Sequence, residues 1–304
     1  MRVTASVSTP LQFAKSPDGG RLNSEIRRLS QPTVWLTFSP DPRTGIHNFT
    51  PSVVDEFQQI LGEMKQWSGE TQGINPSSPG YAVIQSSDPT YFSQGGDLSF
   101  FLDCIRRRDA RTLHRYSMQC LNVMLQWSTG FVDDVHTISL VQGRALGGGF
   151  EMAISSDYVI AEEHSDFAFP EIMFGLFPCT GAMGLITSRC NAFVAERMMT
   201  RKRRPYSAQE LFELGLVDEI CPTGEGEIAV ERHIAEHARR RKSRMKIQQS
   251  RHRHSALSRE EGVRIVDDWV ETAMELDADE LRSLEMLIMM QRGGLLPEAP
   301  KQVA

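Results

Sequence analysis

Thr137-Ile138-Ser139-Leu140-Val141 passes through Gln142 into Gly143-Arg144-Ala145-Leu146-Gly147-Gly148-Gly149-Phe150-Glu151, and this stretch decides the fold class. Its first five residues form a short apolar run suited to a buried parallel strand. The triple glycine is not there for helix stability, since each glycine costs about 1 kcal/mol against alanine in a helix interior. Glycine does let a ligand approach the backbone closely. A turn opening a helix also points unpaired N–H groups outward at the positive end of the helix dipole, which makes an oxyanion or phosphate site. A tight turn with close helix–sheet packing is the plainer reading of the same residues.

Working outward, Tyr81-Ala82-Val83-Ile84 upstream and Tyr158-Val159-Ile160-Ala161 downstream have the same strand character, and Val34-Trp35-Leu36-Thr37-Phe38 opens the folded part. Amphipathic spacing predicts helices over 51–67, 98–107 and 110–127, with a short helix over 152–155 and a Gly/Pro/Ser/Asn loop over 68–80. Strands separated by helix-length segments imply right-handed crossovers and mostly parallel pairing, hence an α/β fold. After Leu216-Val217-Asp218-Glu219-Ile220 strand signals stop, and 226–246, 258–276 and 278–290 read as helices. The expected organisation is a flexible amino-terminal arm (1–31), a core (32–222) and a carboxy-terminal helical region (223–304).

At 304 residues and 40% apolar composition the chain can bury a full core. No apolar stretch approaches the roughly 20 residues that span a bilayer, and the first 30 residues lack the apolar core of a secretory signal, so a cytoplasmic location is expected. The formal charge of −6 argues against a nucleic-acid binder. The basic runs over 201–204 and 239–246 read as solvated helix faces. Cys104, Cys120, Cys179, Cys190 and Cys221 lack the spacing of a metal site or disulfide framework and read as reduced thiols.

Two carboxylates stand out. Glu151 begins the helix after the glycines, and Glu171 sits in apolar Phe169-Pro170-Glu171-Ile172. Brought together in an apolar cleft, two such groups desolvate and repel each other, which supplies one acid and one base near neutral pH. Taken singly, each is better read as a helix N-terminal charge.

These stretches, with Phe92-Ser93-Gln94-Gly95-Gly96-Asp97-Leu98 and the later Gly181, resemble the enoyl-CoA hydratase/isomerase (crotonase) superfamily over residues 80–222. The resemblance implies the crotonase fold of repeated ββα units with mostly parallel sheets. It also implies that the Gly96 and Gly148 N–H groups hold a thioester carbonyl oxygen, and that Glu151 and Glu171 share the acid/base work. Asp97 is expected to cap the helix that follows. Within the superfamily, Tyr206-Ser207-Ala208-Gln209-Glu210-Leu211 and the tail Asp268-Trp269-Val270-Glu271-Thr272-Ala273-Met274-Glu275-Leu276 resemble the bacterial diffusible signal factor synthases. That likeness implies dehydration of a 3-hydroxyacyl thioester on acyl carrier protein, then hydrolysis to a cis-2-unsaturated fatty acid. A plain enoyl-CoA hydratase acting on a coenzyme A ester, and a binding partner of a sensor histidine kinase, are the alternatives. No cofactor and no metal are expected, and a trimer-based homo-oligomer is. Met173, Phe177 and Trp269 are placed to line an acyl pocket. Cys179-Thr180 departs from the glycine often found before Gly181, which puts the pocket wall near Glu171 in question.

Other patterns carry less. Gly224-Glu225-Gly226-Glu227 imitates a dinucleotide fingerprint, but its glutamates would repel a pyrophosphate. His233, His237, His252 and His254 form no metal motif and read as solvated.

Overall fold

The computed structural model describes residues 20–28, 30–70, 79–128, 135–200, 204–255 and 257–293. In chain order the first elements are β1 (Leu22–Arg28), β2 (Pro32–Phe38), α1 (Pro51–Glu70), β3 (Tyr81–Ser86), β4 (Tyr91–Ser93), α2 (Leu98–Arg106) and α3 (Ala110–Ser128). The middle of the chain supplies β5 (His136–Val141), β6 (Arg144–Leu146), α4 (Gly148–Ile154), β7 (Tyr158–Glu162), β8 (Asp166–Ala168), a 3₁₀ turn (Glu171–Phe174), α5 (Ala182–Arg189) and α6 (Ala192–Met199). Then come β9 (Tyr206–Ser207), α7 (Ala208–Glu213), β10 (Glu219–Cys221), α8 (Gly226–Ala238), α9 (Arg241–Ser255), α10 (Arg259–Met274) and α11 (Ala278–Gly293).

Two sheets are built from strand pairs. The larger has the order β1-β2-β3-β5-β7-β10 and the smaller β4-β6-β8-β9. β3/β4, β5/β6 and β7/β8 each send the first strand to the large sheet and the second to the small one before a helix follows, so the ββα repeat is present in an α/β chain. Pairing is parallel throughout except for β1–β2 and β8–β9. Side chains alternate across the large sheet, Ala82 and Ile84 entering the main core while Tyr81, Val83, Ile138 and Leu140 join a second cluster under α8. Burial on both faces explains why these strands read as unbroken apolar runs.

The amino-terminal arm is shorter than its composition suggests. Leu22–Arg28 pairs antiparallel with β2, from Leu22 opposite Phe38 to Arg28 opposite Pro32, and residues 1–19 lie outside the described residues. The strand has too few apolar positions to announce itself; its ladder with β2 supplies the order. The loop expected over 68–80 also yields ground, since α1 continues to Glu70, and 71–78 are not described. The single helix expected over 226–246 is two, α8 and α9. The basic run carries no apolar residue to continue the face of α8; the chain turns at Arg239–Arg240, Arg241 stacks on Tyr81, and Met245 and Gln248 are buried on α9.

The histidines are not solvated as expected, apart from exposed His254. His237 is buried, with Nδ1 3.1 Å from the Tyr81 hydroxyl. His233 stacks on Tyr158 and its Nε2 lies 3.0 Å from Nε2 of His136. Burial lowers both to about 3, so these rings pack as neutral aromatics. α8 sets His233 and His237 against Tyr81, His136 and Tyr158 from three different strands, a surface that a linear reading does not reveal.

α9 is tied down by a buried carboxylate. Asp157 accepts from Thr137 N–H and Oγ1 (3.1 and 3.0 Å), from Arg251 Nη2 (2.6 Å), and contacts His252 Nε2 at 2.6 Å. Burial alone would raise its pKa, yet the His252 hydrogen bond and the Arg251 charge hold it below the ordinary 3.8. A depressed carboxylate stabilises the fold above its unfolded value, and that contribution disappears as pH falls through the folded one. Asp157→Ala is therefore expected to cost about 3 kcal/mol or more at pH 7. In denaturant titrations the gap from the native chain should narrow below about pH 4.

Candidate functional site

The site forms where two turns from the small sheet meet. The first follows β4, with Gly95 at φ +86°, and Asp97 then caps α2 by accepting from Phe100 N–H at 3.1 Å. The second follows β6, with Gly147 at φ +53° and α4 beginning at Gly148. A Cβ on Gly95 would lie 2.6 Å from Leu146 O, so the two backbones touch.

The three glycines now have separate reasons. Gly147 combines a left-handed φ with a Cβ position only 2.6 Å from Glu171 Oε1. Gly149 would drive a side chain into Ser93, 2.7 Å from its Cβ. Gly148 is different: a Cβ there meets nothing nearer than Gly96 N at 3.8 Å and Glu151 Oε2 at 3.9 Å, so it would merely occupy the space between those groups. Among the described residues neither the Gly96 nor the Gly148 N–H donates to a turn or loop carbonyl, and both residues are half-exposed towards one cavity.

Around this pair the two carboxylates are held in opposite ways. Glu151 is 2% exposed on the first turn of α4. Its Oε1 accepts from Thr180 N–H and Ala182 N–H, both at 2.9 Å, and its Oε2 accepts from Thr180 Oγ1 at 2.5 Å. Desolvation pushes its pKa up, while these donors at the start of α5 pull it back. Glu171 stands on the 3₁₀ turn, and its buried Oε2 has no hydrogen-bond partner. Burial first, and the Glu151 charge second, raise it to about 8. Glu171 thus keeps its proton at neutral pH and borders the same cavity as Glu151, whose donors favour its charged form.

That space is a cavity of about 590 Å³. Gly96, Gly148, Glu151, Glu171, Met173, Phe177 and Trp269 all border it, although Met173 is 53% exposed at its edge. Part of the apolar wall comes from residues the sequence did not single out as pocket residues: Val54 and Phe57 on α1, and Val123 and Met124 on α3. Their helical spacing was visible, but ordinary core residues have the same spacing. Leu287 and Met290 of α11 close the cavity beside Trp269 of α10. The Arg144–Asp166 ion pair at 3.1 Å and Arg204, paired with Glu210, also border it; 201–203 of that basic run are not described. Thr180 was noted only as a departure, since nothing in a linear sequence signals its hydroxyl meeting Glu151.

Other candidate sites close on themselves. The Gly224 and Gly226 N–H groups donate to buried Glu162 at 2.9 and 3.3 Å, so a carboxylate fills that turn. Among the described residues no cluster of three or more His, Cys, Asp or Glu side chains could hold a metal, and no helix is long and apolar enough to cross a membrane. The five cysteines are unpaired.

Two substitutions separate space from fold. Gly148→Ala should keep the melting temperature nearly unchanged while cutting turnover about 100-fold or more, because its methyl fills the gap between the N–H groups. Gly95→Ala should unfold at markedly lower temperature. A second test uses the raised carboxyl of Glu171, which favours the folded state only while protonated. The stability of the native chain relative to Glu171→Gln is expected to be greatest below about pH 4.5, to fall between there and about pH 8, and to stay level above. Thermal melts of both across that range check the slope.

The fold is shared with solved enoyl-CoA hydratases. The Bacillus halodurans enzyme superposes with a TM-score of 0.72 at 17% identity, covering 88% of this chain and 100% of its own. That of Mycobacterium avium subsp. paratuberculosis K-10 gives 0.69 at 16% identity, with 89% and 96% covered. In sequence, the fatty acid oxidation complex subunit alpha of Aliivibrio fischeri is 24% identical over 225 residues, 70% of this chain and 28% of that protein. Carnitinyl-CoA dehydratase of Salmonella paratyphi A is 34% identical over 93 residues, 30% of this chain and 35% of that one. The chain thus spans about a third of the length of the curated relatives it matches. The enoyl-CoA hydratase/isomerase family model matches residues 72–280, through the site and into the carboxy-terminal helices, and the chain belongs to that family.

Proposed function

We propose that this chain removes water from a 3-hydroxyacyl thioester and then hydrolyses the thioester, releasing a cis-2-unsaturated fatty acid as a signal. The observation that carries the reading is the opposite partnering of Glu151 and Glu171 in one cavity bordered by the Gly96 and Gly148 N–H groups. Elimination needs a base for the α-proton and an acid for the departing β-hydroxyl, and the pair offers one of each. As the α-proton leaves, charge gathers on the thioester oxygen, where the Gly96 and Gly148 N–H groups can meet it. Hydrolysis puts charge on the same oxygen in a tetrahedral intermediate, so one N–H pair can serve both steps. The balance closes without a cofactor: one water leaves in the first step, and one enters in the second to give acid and free carrier thiol.

A cavity of about 590 Å³ with aliphatic walls suits a medium-length acyl chain, with Met173, Phe177 and Trp269 among its contacts. Acyl carrier protein is the proposed carrier, a trimer-based homo-oligomer the proposed assembly, and the cytoplasm the proposed location. The similarity to a fatty acid oxidation subunit and to a dehydratase of carnitinyl-CoA favours a second reading, reversible hydration of coenzyme A esters without acid release. A binding role beside a sensor histidine kinase would leave both carboxylates without work.

Purified protein incubated with 3-hydroxyacyl-carrier-protein and 3-hydroxyacyl-coenzyme A substrates of several lengths, with products followed by mass spectrometry, decides among these. A free cis-2-enoic acid is expected, falling about 100-fold or more in Glu151→Ala and in Glu171→Ala. Reversible hydration without acid would move the chain to the hydratases, and absence of turnover would favour the binding role.

A further inference from the structure

Glu151 has four lone-pair positions; three accept direct hydrogen bonds from Thr180 and Ala182, and the Gly181 N–H lies close enough to favour the charged form as well. Two of those three lie on Oε1, filled by the Thr180 and Ala182 N–H groups. The third lies on Oε2, filled by the Thr180 hydroxyl at 2.5 Å. Oε2 is also the oxygen 3.9 Å from the Cβ position of Gly148, so it is the one turned towards the space between the free N–H groups.

We propose that the Thr180 hydroxyl is a positioning group for the reaction, fixing the Glu151 carboxylate so that one remaining lone pair of Oε2 faces the substrate. The backbone donors could be supplied by any residue at this position, because they come from the main chain. The hydroxyl is a side-chain group that alanine or valine would remove. It donates to one lone pair of Oε2 while the other is left to take a proton from the substrate, so the same hydrogen bond can hold the carboxyl in one orientation through both halves of a proton transfer. Thr180 is 6% exposed, so water does not substitute for it.

The other titratable groups around Glu151 are Glu171 from the 3₁₀ turn, Cys120 from α3 and Cys179 beside Thr180. Burial pushes the Cys120 thiol up to about 12 and the Cys179 thiol well above its ordinary value, so both are neutral thiols. Burial is the main effect opposing the Thr180 hydroxyl in setting how Glu151 titrates, and that hydroxyl is the foremost of the donors that pull its pKa back down.

The catalytic part of this inference rests on the acid/base reading above; the titration part does not. The test therefore uses two readouts on Thr180→Val, Thr180→Ala and Thr180→Ser. In the first, carbon-13 NMR of protein labelled at the glutamate carboxyl carbons, with Glu151→Gln to identify the signal, follows Glu151 without substrate. Loss of a hydrogen bond to a charged group should move its midpoint up by about one to two pH units in the Val and Ala variants, and Ser should restore it. In the second, the acid limb of kcat/KM against pH should move by the same amount, with kcat lowered more than KM is raised. Alanine cannot crowd the turn, so it carries the test if valine disturbs folding. Titration curves of the Val or Ala variants that superimpose on the native one would overturn the proposal. A shifted Glu151 midpoint with no turnover of any hydroxyacyl thioester by the native chain would instead overturn the proposed reaction and leave the clamp standing.

Discussion

Everything at this site depends on two backbone turns lying in van der Waals contact. The turn after β4 and the turn after β6 come from neighbouring parallel strands of the small sheet, and the Cβ position of Gly95 falls 2.6 Å from the carbonyl of Leu146. No side chain fits between them, so two main-chain N–H groups are left facing one cavity without a partner of their own. The ββα repeat makes this possible, because each repeat delivers a strand end and a helix start to the same edge. Binding groups taken from the main chain need no rotamer to be fixed, and they cost nothing to reorganise when charge develops.

The carboxylates inherit their difference from that geometry. Glu151 rides on the helix that begins at the second turn and reaches the start of α5, where donors are plentiful. Glu171 arrives on a short 3₁₀ turn after Pro170, where its buried Oε2 finds no donor. Its Oε1 comes so close to the Gly147 turn that a methyl there would collide with it. Two identical side chains thus acquire distinct proton affinities from where the chain sets them down, and the apolar wall between α1 and α3 keeps bulk water from levelling the difference.

Much of this was legible in the linear sequence because it is written in local patterns. Buried parallel strands announce themselves as apolar runs, and consecutive glycines demand an explanation that helix stability cannot give. Glu151 and Glu171 could be paired only through resemblance, since nothing local says that residues so far apart share a space. The aliphatic wall was hidden for another reason: Val54, Phe57, Val123 and Met124 have the same spacing whether they line a cavity or fill a core. β1 was missed because its order comes from a partner strand, and the His233–His237 face because the surface it covers is assembled from β3, β5 and β7.

That missed strand matters beyond its size. β2 carries Val34-Trp35-Leu36, and without β1 it would present an open row of unpaired amides at the margin of the large sheet, the kind of border on which one chain templates the misassembly of another. Leu22–Arg28 lays a polar, charged ribbon along that border. The border of the sheet is thereby handed to a strand whose Glu25 and Arg27 charges oppose further pairing.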